Sequence, residues 1–387
     1  MERVNIKIID IISILVFHIC CISIYYGHFF FKIQILFAII SCIYLIRRIK
    51  VLTLNKYKKF NLVFLSFLFV SVLSCISNEN DLTNSLWFFF KLVILLIFNE
   101  LVHEQRREKT VIKQYGILYL IYVLLSIFID VTNHDLFGLY DKNYLIGNKF
   151  SVSYAAFMSI IFADSFRKNF ALKGLRPKAY YFLLLLFSIF ICYSTDCNTG
   201  IICCVLYFIM NSLNKEKLKS GKLALSIAII SSVLLLFFRN YILSLPVVKH
   251  LIVDVLNRNL TLSGRTKIYD NMFQIIFMKP FLGYGYNNSY SILYPLIQAP
   301  NTQNALVEWW FNSGIIGLGL LLYTIYICFE NMKKNKNNII NIDSFTVGIY
   351  VFLILGSIEI TIGTAFFVLL LFSNVGYFRE EVIINDK

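Results

Sequence analysis

Long apolar runs, each closed by a short polar or basic stretch, recur along almost the whole chain. Runs such as 8–26 and 61–77, built of Ile, Leu, Val and Phe, approach the ~20 residues a helix needs to cross ~30 Å of hydrocarbon. By that criterion the sequence predicts about twelve transmembrane helices. They fall at 8–26, 29–46, 61–77, 86–102, 117–131, 151–166, 180–194, 201–213, 224–238, 305–329, 345–360 and 365–378.

One long stretch, 239–304, breaks the pattern. It collects Pro246, Pro280, Pro295 and Pro300, leaving only Pro177 elsewhere. The predicted fold class is an all-α integral membrane protein with one long extracytoplasmic loop. A nine-span bundle over 1–238 is followed by the loop at 239–304. Three C-terminal spans and a short cytoplasmic tail complete the chain over 305–387.

Composition supports this. Of 387 residues, 58% are hydrophobic and 17% aromatic, and mean hydropathy is +0.71; no water-soluble chain of this size keeps so much apolar surface from water. The first apolar run lacks a small-residue cleavage site and continues into a second span, so no cleavable signal peptide is expected.

Lys and Arg set the orientation, because short loops rich in them stay cytoplasmic. Arg47, Arg48, Lys50, Lys56, Lys58 and Lys59 fill one loop; Arg106, Arg107, Lys109 and Lys113 fill the next inner one. Arg167–Lys178, Lys215–Lys222 and Lys333–Lys336 continue the alternation, whereas 78–85 has no Lys or Arg. Both termini are therefore expected in the cytoplasm, with 239–304 outside. The net charge of +14 is mostly this topological bias facing anionic lipid, and it calls for no nucleic acid.

The outer segment carries Arg239, Lys249, Arg258, Arg265, Lys267 and Lys279 against Asp254 and Asp270. Two explanations stay open: docking onto lipid headgroups, or binding an anionic substrate such as a lipid-linked pyrophosphate. The nine cysteines lie almost wholly within spans and the five histidines are scattered, so neither a disulfide framework nor a metal site is expected.

Within 239–304, apolar residues recur at helical spacing twice: Val247, Val248, Leu251, Ile252, Val255 and Leu256, then Ile268, Met272, Ile275 and Ile276. Two short amphipathic helices lying on the membrane surface would account for them. The second opens at S-G-R-T, with Ser263 as N-cap candidate, and ends before KPFLGYG, where Pro280, Gly283 and Gly285 force a turn. Arg265 in the first turn would combine with the helix N-terminus to form an anion site.

The order SGRTKIYDNMFQIIFMKPFLGYGYNN, then TQNALVEWWFNSGIIGLGLLL, resembles the signature region of the O-antigen polymerase and ligase superfamily. Ser263, Gly264 and Arg265 match its first element, Pro280, Gly283 and Gly285 its second, and Asn304, Glu308, Gly314 and Gly317 its third. The family His falls on Gln303. GNKFSVSYAAF at 147–157, with the Gly147-Asn148 pair that opens a span, also resembles a family element, as does TDCNTGII at 195–202, where Asn198 replaces the usual Arg. Arg239 or Arg258 could supply that missing charge.

The resemblance implies a GT-C-like fold and a glycosyl transfer at the outer leaflet on undecaprenyl-pyrophosphate-linked oligosaccharides, with no cofactor, nucleotide sugar or metal. A flippase and a chain-length regulator are its implied partners, beside membrane lipids. Arg265 and Glu308 are the catalytic candidates, for pyrophosphate stabilisation and proton removal; Arg239, Arg258, Ser263, Gly264, Gly283, Gly285, Gln303 and Asn304 are the substrate-binding ones. Gln cannot act as a base, which favours a polymerase of capsule or O-antigen repeats over a ligase. Glu308 also fits an interfacial carboxylate beside Trp309 and Trp310, and Glu359 and Asp196 stand as further outer carboxylates. A multi-span transporter is the reading from a different class, against which stand the absence of an internal repeat and the sparse intramembrane charge.

Overall fold

The computed structural model describes residues 7–22, 27–53, 58–78, 82–132, 144–170, 175–213, 215–250, 253–254, 265–334 and 343–375. Among them no strand forms; helices account for nearly all regular structure. The N-terminal half holds α1 (Ile8–Cys20), α2 (Gly27–Ile46), a 3₁₀ turn (Ile49–Thr53), α3 (Lys58–Ser77), α4 (Leu82–Glu104), α5 (Glu108–Thr132) and α6 (Lys149–Asn169). Then come α7 (Leu175–Ser194), α8 (Asn198–Met210), α9 (Lys215–Leu218), α10 (Gly221–Ser244) and α11 (Pro246–His250). The outer segment adds α12 (Arg265–Ile276) and α13 (Ser289–Ile297), and the chain continues as α14 (Ala305–Lys334), α15 (Asp343–Leu355) and α16 (Thr364–Val375).

Every expected span falls on a helix, but the count of membrane-crossing helices needs correction. Among the described residues six are long and apolar enough to cross: α3, α4, α5, α7, α10 and α14. In contrast, α1, α8 and α15 have 13 residues each and α16 has 12, only about 20 Å at 1.5 Å per residue. Apolar length overstated them because the connection between α15 and α16 is itself apolar, with Ile358, Ile360 and Ile362 outside either helix.

Burial separates the interior helices from the lipid-facing ones. The most apolar windows of α4 and α14 are 72% and 61% buried, against 22% for α7 and 28% for α10. Exposed Ile39, Phe69, Phe128, Phe190 and Phe237 form the apolar exterior that a bilayer would solvate. α6 packs on α5, α7, α8 and α15; shielded from lipid, it tolerates Ser153, Ser159, Asp164 and Ser165 in its buried faces. Fully buried Asp164 receives Arg167 at 2.6 Å, the Ser344 hydroxyl at 2.8 Å and the Tyr207 hydroxyl at 3.0 Å. That network ties α6, α8 and α15 together at one end.

The outer segment has its own small core. Ile268, Tyr269, Met272, Ile275 and Ile276 of α12 pack with Leu236, Tyr284, Leu293, Val307 and Phe311. The expected stripe is therefore present, and it is buried against α10, α13 and α14. Of the first expected amphipathic helix, α11 has no buried residue; most of the remainder, including 255–256, lies outside the described residues.

The longest helix is broken. Gly314 in α14 has φ 66° and ψ −177°, and a Cβ there would lie 1.9 Å from the Phe281 carbonyl oxygen. Gly319, further along α14, has open space around it. Gly314→Ala should destabilise the protein by about 3 kcal/mol or more, the sum of a left-handed φ and a backbone collision. Gly319→Ala should leave it unchanged or slightly more stable, since Ala is the better helix former by ~1 kcal/mol. Thermal unfolding in detergent separates the two; equal melting temperatures would mean the break is not needed.

Candidate functional site

In an unbroken helix the N–H groups of residues 315 and 316 would donate to the carbonyls of 311 and 312. Here the 280–285 turn takes both sides of that ladder. Ile315 N–H donates to Pro280 O at 2.8 Å, and Phe311 O and Asn312 O accept from Tyr284 N–H at 2.8 Å and Gly285 N–H at 2.9 Å. Gly283 and Gly285 have φ of 71° and 91°, and a Cβ on Gly283 would stand 2.4 Å from Phe311 O. α3 clasps the turn from the other side: Ser74 Oγ donates to Asn312 O at 2.8 Å, and Asn78 Nδ2 to Gly283 O at 3.0 Å. Both turn glycines are buried. Their place in the fold is as close-approach backbone, not as direct contacts for a substrate.

The start of α14 is held as firmly. Asn304 is its N-cap: Oδ1 accepts from Leu306 N–H at 3.1 Å and Val307 N–H at 3.2 Å, satisfying donors that a helix N-terminus leaves open. Its Nδ2 donates to Ser357 O at 3.2 Å, and Ala305 N–H donates to Gly356 O at 2.6 Å. Fully buried Asn304 is thus committed to joining α14 to the α15–α16 connection.

One turn into α14, Glu308 is 6% exposed. Its Oε1 accepts from the Ser289 hydroxyl. Its Oε2 accepts from Thr302 N–H at 3.1 Å, with the Thr302 hydroxyl at 2.9 Å. Three converging donors fix the carboxylate at the wall of a cavity of about 240 Å³. Aromatic Tyr286, Tyr290 and Trp309 and the amides of Asn287, Asn301 and Asn312 share that wall, together with Ile360 and Ile362 from the α15–α16 connection. Tyr286 is sandwiched between Phe88, 4.3 Å away by ring centroids, and Trp309, 5.7 Å away. Burial first, then the neighbouring Glu308 carboxylate, pushes the Tyr286 phenol well up, so it stays a protonated O–H donor at neutral pH.

The cationic candidates lie on the α10–α12 side. Arg239 pairs with Asp270, donates to Leu236 O at 2.6 Å and sits 6.0 Å from the Tyr269 ring centroid. The Tyr269 hydroxyl donates to Gln303 O at 2.9 Å, linking α12 to the strand of chain that enters α14. Gln303 has φ 54°, and its Nε2 donates to Asn301 Oδ1 at 2.7 Å. Arg265 is the first residue of α12, but its side chain lies outside the described residues, as do Arg258, Ser263 and Gly264 entirely. Glu359 accepts from Ile360 N–H at 3.2 Å, and Asp196, at φ 51°, meets Lys149 at 3.6 Å in a turn. Among the described residues no group of three His, Cys, Asp or Glu could hold a metal.

Sequence reasoning missed the Asn287, Asn301 and Asn312 amides and the Ile360–Gly363 contribution. Asn312 alone carried a signal, as an amide inside an apolar helix two residues before Gly314.

Residues 180–322 match the family model described as O-antigen ligase. The matched segment runs from α7 into α14 and takes in Arg239, Arg265, the 280–285 turn, Gln303, Glu308 and Gly314. Over that segment, less than half of the chain, the protein is similar to the O-antigen ligase family, and its long apolar helices are those of a multi-pass membrane protein; the 147–157 stretch lies outside the matched segment. No curated protein and no solved structure matches the chain.

Glu308→Gln keeps one carbonyl for Thr302, and the Ser289 hydroxyl can turn to accept from the new amide, so abundance and melting temperature should stay near wild type. Glu308→Leu leaves the Ser289 hydroxyl and Thr302 N–H without an acceptor, each costing roughly 1–3 kcal/mol if it stays buried, while the Thr302 hydroxyl keeps Asn304 O at 3.0 Å. Its melting temperature in detergent should fall clearly; an unchanged value would mean that water replaces the carboxylate.

Proposed function

We propose that this protein is a polysaccharide polymerase that joins undecaprenyl-pyrophosphate-linked oligosaccharide repeats on the outer face of the bacterial cytoplasmic membrane. The observation that carries the reading is Glu308: a carboxylate preoriented by Ser289 and Thr302 beside a small polar and aromatic cavity, inside the segment that matches the O-antigen ligase family. Capsule or O-antigen repeats are the substrate class, and a flippase that delivers repeats and a chain-length regulator are the partners such a reaction requires.

In the proposed reaction a sugar hydroxyl of the acceptor repeat attacks the anomeric carbon of the donor glycan. The bond from that carbon to the pyrophosphate oxygen breaks, and the lipid pyrophosphate leaves with the electron pair. Glu308 takes the hydroxyl proton. Cationic stabilisation of the leaving group is assigned to Arg265 at the N-terminus of α12, with Arg239 and Arg258 as further charges on that side. Ser263, Gly264 and Gln303 border that helix end or the chain entering α14 and are assigned to substrate, while Gly283, Gly285 and Asn304 serve by holding the frame.

The second reading, a ligase, keeps the same electrostatics and differs in the acceptor. Gln303 in place of a His disfavours it, because an amide cannot remove a proton. Orientation follows from the two ends of the bundle. Asn78 at the end of α3, Ser85 near the start of α4 and Asn304 before α14 all touch the site or its frame. The Lys- and Arg-rich stretches 58–59, 106–107 and 333–334 stand at the other ends of α3, α4 and α14, which supports reading that end as cytoplasmic.

Purified protein given lipid-linked repeats should produce a ladder of longer glycans; movement of repeats across vesicles without lengthening would point to a transporter. Arg265→Ala should abolish the ladder at normal abundance, and Arg265→Lys should impair it, because an ammonium cannot copy the bidentate fork. Glu308→Gln should slow transfer by roughly 10²–10⁴-fold, whereas Gln303→Ala, which loses a substrate contact but no base, should be weakened and keep measurable activity. An intact ladder in Glu308→Gln removes the base from the mechanism.

With the native cysteines replaced, single cysteines at Asn288 and Asn301 should react with an impermeant thiol reagent from outside. Cysteines at Lys58 and Lys334 should react only after permeabilisation. Cytoplasmic labelling at Asn288 would invert the whole scheme.

A further inference from the structure

The cavity beside Glu308 has a chemistry of its own. Among the described residues that line it none is Lys, Arg or His, and the one charge is the Glu308 carboxylate. An anion placed there would meet a negative charge and no counter-charge. The pyrophosphate of a lipid-linked sugar and the carboxylate of a uronic acid are both poor occupants.

What the cavity offers is an aromatic wall and polar groups that pair with hydroxyls. Tyr286 and Trp309 stack on each other, and Tyr290 stacks on Tyr294 at the rim with centroids 4.9 Å apart. Both faces of Tyr286 are already covered, by Phe88 and Trp309; the exposed Tyr290 ring at the rim suits the apolar C–H face of a pyranose. At about 240 Å³ the space falls short of the roughly 300–1,000 Å³ of sites for drug-sized ligands. One sugar ring fits that size; an oligosaccharide does not.

Asn312 supplies an independent observation. It is only 3% exposed, lines this cavity, and its side-chain oxygen has no hydrogen-bond partner. A buried amide oxygen left unpaired is uncommon and costly. Its backbone carbonyl, by contrast, is engaged twice, by Gly285 N–H and Ser74 Oγ. The backbone is therefore fixed while the amide is left for something that enters the cavity.

We propose that this cavity is the subsite for the terminal, uncharged sugar ring of the acceptor, and that Asn312 is a positioning residue that holds one of its hydroxyls so that a neighbouring hydroxyl faces Glu308. The inference rests on the polymerase reading of the site. It makes this chain's specificity a matter of charge and ring count: the acceptor ends in a neutral sugar, and the pyrophosphate groups stay on the α12 side.

The test uses the full-length protein in lipid nanodiscs, with labelled lipid-linked polymer as donor and the single lipid-linked repeat as varied acceptor. Asn312→Leu fills the same space and removes the unpaired amide, so its melting temperature should equal or exceed that of wild type. Its acceptor KM should rise about tenfold, the scale of one or two net hydrogen bonds, with donor KM unchanged. Asn312→Ser, which keeps a smaller hydrogen-bonding group, should fall between the two and serves if the Leu variant folds poorly. Linkage analysis of the wild-type polymer should find the newly glycosylated hydroxyl on an uncharged sugar.

An unchanged acceptor KM in both variants, a rise confined to the donor KM, or a uronic acid at the new linkage would overturn the proposal while leaving polymerase activity intact. A wild-type protein that lengthens nothing would instead defeat the polymerase reading itself.

Discussion

The exchange of backbone hydrogen bonds at Gly314 is the constraint on which the site depends. A helix interrupted in an apolar environment leaves carbonyls and N–H groups that must find partners elsewhere. Here one loop supplies them in both directions: Pro280 O takes the N–H of Ile315, and Tyr284 and Gly285 give theirs to Phe311 and Asn312. The geometry leaves room only for glycine at positions 283 and 314, since a Cβ at either would collide with backbone. That single junction sets the height of Tyr286 and Ser289 against Glu308, and so brings a loop residue, a helix residue and a cavity into register.

The same junction places unlike charges apart. The site's carboxylate sits on the α14 side, wrapped by Ser289 and Thr302; the guanidinium of Arg239 is on the α10–α12 side, against Asp270 and Tyr269. The Tyr269 hydroxyl on Gln303 O is the bond that spans the two halves. A reaction that expels an anion while deprotonating a hydroxyl benefits from that division, because each charge that develops has its own preorganised partner.

How much of this could be read from sequence depended on whether a feature was local. The i, i+3, i+4 stripe of α12 was legible, since Ile268, Met272, Ile275 and Ile276 are all buried. What the stripe packs against was not, because Leu236, Val307 and Phe311 come from two other helices. Asn148 as the opening of α6 was legible too, and its side chain accepts from Phe150 and Ser151 N–H at 3.1 Å. α13 was not, because Pro295 inside it reads as a breaker. Nor was the break in α14, which lies within one unbroken apolar run. The cavity was least legible: its walls come from the stretches 286–290, 300–301, 308–312 and 360–363, and only tertiary packing brings them together. Twelve apolar runs were visible, but hydropathy cannot tell a short helix with an apolar connection from a full crossing, as α15 and α16 illustrate.

The broken helix also bears on what kind of protein this is. In transporters, discontinuous helices leave carbonyls and helix ends free to coordinate ions or substrate at mid-membrane. In α14 both freed carbonyls are occupied, Phe311 O by Tyr284 N–H and Asn312 O by Gly285 N–H and Ser74 Oγ. Pro280 O, which caps the far side, receives Ile315 N–H at 2.8 Å and the Trp310 indole at 3.2 Å. The Phe311 and Asn312 carbonyls are thus taken up within the protein and are not offered to a passing ion. The unpaired amide oxygen of Asn312 lies in the cavity beside Glu308, so the break works as a socket for the 280–285 loop and holds that cavity's wall in place.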